Sequence, residues 1–490
     1  MINNHAFFEH ILEQHPHREN FAAFIAACER PLRKSIRVNT LKISVHDFLS
    51  LADNHSWLLS PIPWCKEGFW VTHEDQNALL QLGNCSEHLM GLFYIQEASS
   101  MLPAVALLAG SADAKATPLI LDLAASPGSK TTQLAALMNN KGTILANELS
   151  ASRLKVLHAN LQRSGVTNSC LSHCDGRVMH NSLSAVFDAI LVDAPCGGEG
   201  TYRKDPKALD NWSIAAIETI SALQKQLISS AWKMLKPGGR LVYSTCTLSR
   251  AENHEVINWL ASEVGSELEI IDLGKLFPEA QRVITEEGYL HLWPEIFDCE
   301  GFFVACIEKK SSAATSTAFK ESSQSPFKSP DKKIVQIVQQ YYQQQFGFDL
   351  LPLLPGLKIR NSHHQQQIWL FPEFAEQLRD ALHLQRSGIR ICDLIESRNG
   401  LLIKTCHELV TCFGDQFKRQ FIELTSAEAS ACSKGENITI GFSNELQKGE
   451  VVMRYQGYSL GLAKLLIPNK NKKILKNNLP RDLLRNNVVF

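Results

Sequence analysis

The chain has 490 residues, 44% of them apolar and 20% charged, and 49 Lys plus Arg against 50 Asp plus Glu leave a net charge of −1. These are the values of a globular protein of about three domains, and they exclude collagen-like, coiled-coil and wholly disordered chains. No apolar stretch approaches the roughly 18–20 residues that span a bilayer. Met1 to His10 holds no basic segment followed by an apolar one, and the 13 cysteines, an odd number scattered from Cys28 to Cys432, suit a reducing compartment. A cytoplasmic protein without a membrane partner is expected.

Residues 1–110 are mixed, with helical runs near 6–15 and 19–29, and read as an N-terminal α+β extension. From 111 to 310 strand-like and helix-like segments alternate, which predicts a parallel α/β sheet. PLILDL (118–123) is a short apolar run ending in an acid, followed by the turn SPG and a helix over 130–138. GTILANE (142–148) is again strand-like, and 150–165 has helical periodicity with Ser150 as N-cap. FDAILVDAP (187–195) is the most strand-like run, and an amphipathic helix over 213–235 leads through KPGG to the strand RLVYSTCT (240–247). Residues 311–330, rich in Ser, Thr and Ala, read as a linker. Beyond it, 331–430 is expected to be a middle α/β domain and 431–490 a strand-rich one.

Asp122 falls at a strand end and Gly128 in the turn that opens a helix, where backbone N–H groups meet a ligand at the carboxyl edge of a sheet. The loop has one glycine, not the three of a pyrophosphate-binding fingerprint, so a ligand without phosphate fits better. Glu148 ends the next strand, where an acid bonds the hydroxyls of a ribose, and Asp175 follows the third strand, within reach of an adenine amino group. Singly, each acid is an ordinary turn or cap residue; the ordered series points to a nucleoside.

Cys196 and Cys246 both follow strands and lead into loops, unlike the buried core position usual for cysteine. Cys170, His173 and Cys174 lack a second ligand pair, so no metal is expected. Arg203-Lys204-Asp205-Pro206 is either an ordinary charged loop or a phosphate contact, and its place beside Cys196 favours the latter. Trp212 is expected in the core, and His363-His364 and the set His5, His10, His15 and His17 on solvated surface. From 454 to 490 eight basic residues stand against Asp482 alone, a charge of +7, leaving −8 on the other 453 residues. Such an end is either a solvated tail or the face that meets an anion such as RNA. Tyr455 and Tyr458, among these cations, serve base stacking or strand packing equally well.

DLAASPGSKT, DAPCGGEGTYRKDP and YSTCTL together resemble the motif set of the Nol1/Nop2/Sun family of RNA cytosine-5 methyltransferases. RVNT (37–40) and YIQEASS (94–100) resemble the family's N-terminal elements, and RYQGYSLGLAK (454–464) is similar to a PUA-type RNA-binding module. The resemblance implies a Rossmann-like S-adenosylmethionine-dependent methyltransferase domain with an N-terminal α+β extension and C-terminal α/β plus PUA-like β-rich RNA-binding modules. It implies cofactor contacts from Ala124, Ala125, Ser126, Pro127, Gly128, Ser129, Lys130, Glu148, Arg153, Asp175 and Asp193. Cys246 would be the nucleophile that adds to cytosine C6, Cys196 would assist product release, Asp193 would bond the N3/N4 edge, and Lys130 would face the active site near the base or its ribose. DNA cytosine-5 methyltransferases use the Pro-Cys cysteine as nucleophile, which would make Cys196 the attacker, and spacing alone leaves that open. The implied partner is 16S ribosomal RNA near the decoding region, free or in the 30S subunit, and not DNA. Alternatives are a methyltransferase acting on tRNA, protein or a small molecule, and a non-catalytic RNA-binding assembly factor.

Overall fold

Four β-sheets organise the residues described by the computed structural model, which are 5–16, 18–75, 82–110, 117–310, 325–362, 365–398, 400–441, 446–469 and 472–490. Residues 311–324 of the expected linker, with His17, His363 and His364, lie outside them.

The N-terminal helices α1 (His5–Gln14) and α2 (Phe21–Glu29) bury Phe7 and Phe24, and Phe24 meets the Trp293 ring edge-on at 5.7 Å. Trp212 packs beside Phe7 at 5.6 Å, in keeping with a packing role. The strands β1 (Lys34–Val38), β2 (Leu58–Ile62), β3 (Cys65–Thr72) and β4 (Phe93–Ile95) form an antiparallel sheet in the order β2-β3-β1-β4. Helix α3 (Val45–Asn54) starts where the Ser44 hydroxyl accepts from Asp47 N, and it buries Phe48 and Leu51.

The central sheet contains β5 (Leu119–Asp122), β6 (Thr143–Asn147), β7 (Ser169–Ser172), β8 (Phe187–Asp193), β9 (Leu235–Thr245), β10 (Leu268–Ile270), β11 (Leu290–Leu292) and β12 (Phe302–Lys309). Its order is β10-β12-β9-β8-β5-β6-β7, with β5 to β9 parallel to their neighbours and β12 antiparallel to β9. The chain leaves β5 for β6 on one side and returns to β8 on the other, so a crevice opens at the carboxyl ends of β5 and β8. Helices α4 (Ser129–Leu137), α5 (Ala151–Arg163) and α6 (Ile214–Met234) lie where helices were expected, and α7 (His254–Val264) is a further one. Ser150 and Ser213 cap α5 and α6, accepting from Arg153 N and Ala216 N. β9 begins at Leu235 rather than Arg240: Lys236–Gly239 bulge between the pairs Phe187/Leu235 and Ala189/Arg240, so KPGG interrupts the ladder without ending the strand.

The expected linker does not stay irregular to 330: its Phe327–Lys328 is a strand, β13, paired with β14 (Leu357–Ser362), and the remaining elements are α8 (Lys332–Phe346) and the strands β15 (Gln365–Leu370), β16 (Leu384–Ser387), β17 (Ile389–Ser397) and β18 (Gly400–Thr405). Five of these form their own sheet, but β16 leaves it and pairs antiparallel with β7, extending the central sheet. The last sheet, β19 (Phe421–Glu423), β20 (Ile438–Ile440), β21 (Gly449–Tyr455), β22 (Tyr458–Asn469) and β23 (Lys472–Asn477), is ordered β19-β21-β22-β23-β20 and starts ten residues before 431. It shares one core with the N-terminal sheet, in which Ile36, Phe48 and Phe93 lie with Ile422, Met453 and Leu465. Val489 is clasped to the N-terminal segment through Ser86 N to Val489 O (2.9 Å) and Val489 N to Asn84 O (2.8 Å). No helix among the described residues is long and apolar enough to cross a membrane.

Candidate active site

A cavity of about 310 Å3 opens in the crevice at the ends of β5, β8 and β9. β5 delivers Asp122, which is 1% exposed. Its Oδ2 accepts from the Thr131 hydroxyl at 2.6 Å, while its Oδ1 is buried with no hydrogen-bond partner. Burial, with the Asp193 charge behind it, pushes the Asp122 carboxyl up to about 7. The loop after Asp122 is pinned by Leu123 N to Leu191 O (3.0 Å) and Ala125 N to Asn147 O (2.8 Å). Gly128 closes the loop at φ +106°, and a Cβ there would come within 3.0 Å of the Leu157 side chain. Backbone and space both call for glycine.

Lys130, in the first turn of α4, donates to Asp193 Oδ2 (2.7 Å) and to Ser100 Oγ (2.9 Å). Burial works against its charge, but the Asp193 carboxylate more than offsets that and the net shift is upward. The other oxygen of Asp193 accepts from the Ser244 hydroxyl at 2.8 Å, across the register pair Asp193/Ser244 of β8 and β9. Both oxygens are thus tied, and the carboxylate is an acceptor on the cavity wall.

The two motif cysteines meet: Cys196 Sγ lies 3.2 Å from Cys246 Sγ, and both are free and half-buried. Cys246 lines the cavity, whereas Cys196 does not. The hydrogen bond to Cys246, burial, and the Glu252 and Glu199 carboxyls all push the Cys196 thiol well up, so it keeps its proton. The loops are cross-tied. Gly197 N donates to Glu252 Oε2 (2.8 Å), and Gln224 Nε2 donates to both Pro195 O and Glu252 Oε2 (2.9 Å each). The Thr247 hydroxyl, next to Cys246, donates to Glu199 and lies 3.3 Å from Glu252 Oε1. Burial and the neighbouring Glu252 push Glu199 up to about 7, and burial raises Glu252 as well.

Of the residues expected to hold a cofactor, Ala124, Ala125, Ser126, Pro127, Ser129, Lys130 and Asp193 line the cavity, and Gly128, Glu148, Arg153 and Asp175 stand outside its wall. Glu148 is buried and accepts from Ser150 N at 2.8 Å. Arg153 clasps the loop to α5, donating to Ser126 O (2.7 Å) while the Ser126 hydroxyl donates to Arg153 O (3.0 Å). Asp175 is gripped by the Arg177 guanidinium, whose hydrogen bonds hold its carboxyl below the usual range.

Three expectations are corrected. Arg203 is not a phosphate contact: its side chain is 1% exposed, donates to the carbonyls of Arg30, Pro31 and Cys299, and pairs with Asp298 at 2.6 Å. Its neighbour Lys204 is exposed and lines the cavity. His15 is not on the surface; it is 3% exposed, bonded to Glu295 and packed on Trp293. Arg454, counted in the basic end, is buried and donates to the carbonyls of Gly414 and Phe417. Tyr455 packs against Phe490, while Lys464 and Lys476 face each other across β22 and β23. Among the described residues, no group of three or more His, Cys, Asp or Glu is placed to hold a metal ion.

Sequence reasoning passed over Ser100, Ser244, Glu199, Glu252 and Glu300. The first three lie inside motifs that were visible, YIQEASS, YSTCTL and GGEG. Glu252 and Glu300 join the site only through tertiary pairing. A second cavity of about 520 Å3 adjoins the first, sharing Ile95, Gln96, Glu97 and Lys204 and adding Arg33 and Lys34. A larger one, about 580 Å3, lies between Lys42, Asn139, Pro352 and Phe413, away from both motif cysteines.

The family model for 16S rRNA methyltransferase RsmB/F matches residues 109–308, that for the N-terminal domain of 16S rRNA methyltransferase RsmF matches 4–98, and that for the methyltransferase RsmF PUA domain matches 419–485. A protein of Psychromonas ingrahamii named ribosomal RNA small subunit methyltransferase F is 44% identical over 489 residues, covering 99% of this chain and 98% of its own. One of the same name from Aeromonas salmonicida is 46% identical over 487 residues, with the same coverages of 99% and 98%. The solved structure of a methyltransferase homologue from Pyrococcus horikoshii is 36% identical, with a TM-score of 0.52 over 62% of this chain and 94% of that one.

Proposed function

The chain belongs to the ribosomal RNA small subunit methyltransferase F family, and from that premise we propose that it methylates C5 of a cytosine in 16S ribosomal RNA, in the cytoplasm, using S-adenosylmethionine. The observation that carries this reading is the pair of free thiols 3.2 Å apart, one of them on the cavity wall. Cytosine C5 is a poor nucleophile, and a sulfur adding to C6 makes it a good one; covalent catalysis splits the hard step in two.

The residues present fit S-adenosylmethionine. The buried, unpartnered Oδ1 of Asp122 and the 124–129 loop offer polar contacts without an anion cradle, and the buried Glu148 carboxylate ends β6 where a ribose would lie. When bound, the cofactor supplies an electrophilic methyl group on a sulfonium.

Cys246 is the attacking sulfur, because it is the one that faces the cavity, with the Lys130 ammonium on the same wall. Cys196, held as a thiol, donates a hydrogen bond to the Cys246 sulfur and stabilises it as it leaves C6. Asp193, with its oxygens oriented by Lys130 and Ser244, accepts from the cytosine N4 amino group. The base must be unstacked and turned inward for C6 to be reached. Lys34 and Lys204 beside the cavity, and Lys464 and Lys476 on the last sheet, are exposed or half-exposed cations suited to RNA phosphates.

The test is covalent trapping with S-adenosylmethionine and 16S RNA, offered naked and as 30S subunits. Cys196→Ala should accumulate a slow-migrating protein–RNA adduct, and Cys246→Ala should give none. Adduct in Cys246→Ala alone would reverse the two roles. Labelled methyl found only in protein would overturn the reading.

A further inference from the structure

Glu300 sits two residues before β12 on the wall of the cavity that holds Cys246, Asp193 and Lys130. Two main-chain hydrogen bonds tie its neighbour Gly301 to Cys246 through Gly200: Gly200 N donates to Cys246 O and Gly301 N donates to Gly200 O, each at 3.0 Å. Phe303 of β12 pairs with Thr245 of β9, so Glu300 and Cys246 emerge at the same end of adjoining antiparallel strands. The joint is tight, since a Cβ at Gly200 would collide with the carbonyls of Gly301 and Cys246. Glu300 is 5% exposed, and its Oε1 is buried with no hydrogen-bond partner. Its own main-chain N–H donates to Glu97 Oε1 at 3.2 Å, which brings a second carboxyl group beside it. Burial first and Glu97 second push its carboxyl up to about 8, against the opposing pull of Lys204, Lys130 and Arg203. At neutral pH Glu300 therefore holds a proton in a cavity whose wall also carries Glu97, Asp122 and Asp193; Asp193 has both oxygens committed as acceptors, and Asp122 accepts from Thr131.

Thiolate addition to C6 drives electrons onto N3 and O2 of the base, and a proton is needed there. Resting on the cytosine-C5 reading, we propose that Glu300 is the general acid of the addition step, giving its proton to N3 of the target cytosine as Cys246 attacks C6. The S–C6 bond forms, the C5=C6 pair moves to C4–C5, the C4=N3 pair moves to N3, and N3 takes the proton from the Glu300 carboxyl. In the reverse half, after C5 is methylated, the C5–H pair closes C5=C6 and its proton leaves to water. The S–C6 pair returns to sulfur, and the N3 proton returns to the Glu300 carboxylate. Asp193 and Glu300 divide the base edge between them, one accepting from N4 and one serving N3.

Glu300→Gln keeps the size but has no acidic proton to yield. Its kcat should fall about 10²–10⁴-fold, the usual contribution of a general acid. Its RNA binding, measured by filter retention, and its thermal midpoint should stay at wild-type values. Wild-type kcat should decline above about pH 8, as Glu300 loses its proton. That alkaline limb should persist in Glu300→Asp and vanish in Glu300→Gln. A Glu300→Gln enzyme with kcat within about threefold of wild type, or an alkaline limb the same in wild type and Glu300→Gln, would overturn the proposal. Wild-type enzyme that leaves cytosine C5 unmethylated would overturn the parent reading as well, which distinguishes the two failures.

Discussion

Behind the Cys196 loop, Glu199 and Glu252 crowd two carboxyl groups around one Thr247 hydroxyl. Glu199 is raised from 4.5 to about 7, so between those values the folded protein binds more proton than the unfolded chain. The stability this lends is full below about pH 4.5 and is lost as pH rises through 7. A shift of that size corresponds to about 3 kcal/mol. Glu199→Gln should therefore flatten the fall in unfolding free energy between pH 5 and pH 8, read by urea titration; an unchanged slope would show that the pair is not the cause. Cys196, Cys246, Asp193 and Lys130 were legible in the sequence because each lies inside a local motif at the end of a periodic apolar run. Glu300 was not legible, because nothing near it in sequence signals chemistry. It reaches Cys246, 54 positions away, only through the β12–β9 register.

The strands β5, β6 and β8 and the helices α4 to α6 fall within a few residues of where the sequence put them, the strands because each is a continuous buried apolar run. Two elements escaped. KPGG reads as a break, yet the sheet carries it as a bulge within β9. β16, Leu-Gln-Arg-Ser, has no apolar pattern of its own, and its partner β7 lies about 200 positions earlier. The cap at Ser213 is a clean test of the local code, being remote from the cavity. Its hydroxyl accepts from Ala216 N at 3.1 Å at the head of the 21-residue α6. Ser213→Ala should cost about 1 kcal/mol of unfolding free energy, with methyl transfer unchanged, as equilibrium denaturation beside an activity assay would show.

Three parts can be read from composition, but their cores are not separate. Phe371, Ala375, Leu378 and Leu382 of the middle segment fill the same core as Leu119, Phe187 and Leu241 of the central sheet. A chain cut after 310 would lose these side chains and bare the β7 edge that β16 covers. Exposed strand edges and apolar faces lead to association. Residues 1–310 alone should sediment as aggregate, and a monomeric fragment with a cooperative unfolding transition would contradict this.

The N-terminal sheet, completed by Ile422, Met453 and Leu465, carries a consequence for biosynthesis. Phe93 and Met453 are 360 positions apart (453 − 93). At about 5–20 residues per second, a ribosome needs roughly 20–70 s to cover that distance. Through that interval the first-made sheet waits with one face uncovered, while the central strands, with their short-range parallel pairings, can already assemble. The order of folding thus runs against the order of translation, and the interval is one in which a nascent-chain chaperone has an apolar surface to hold.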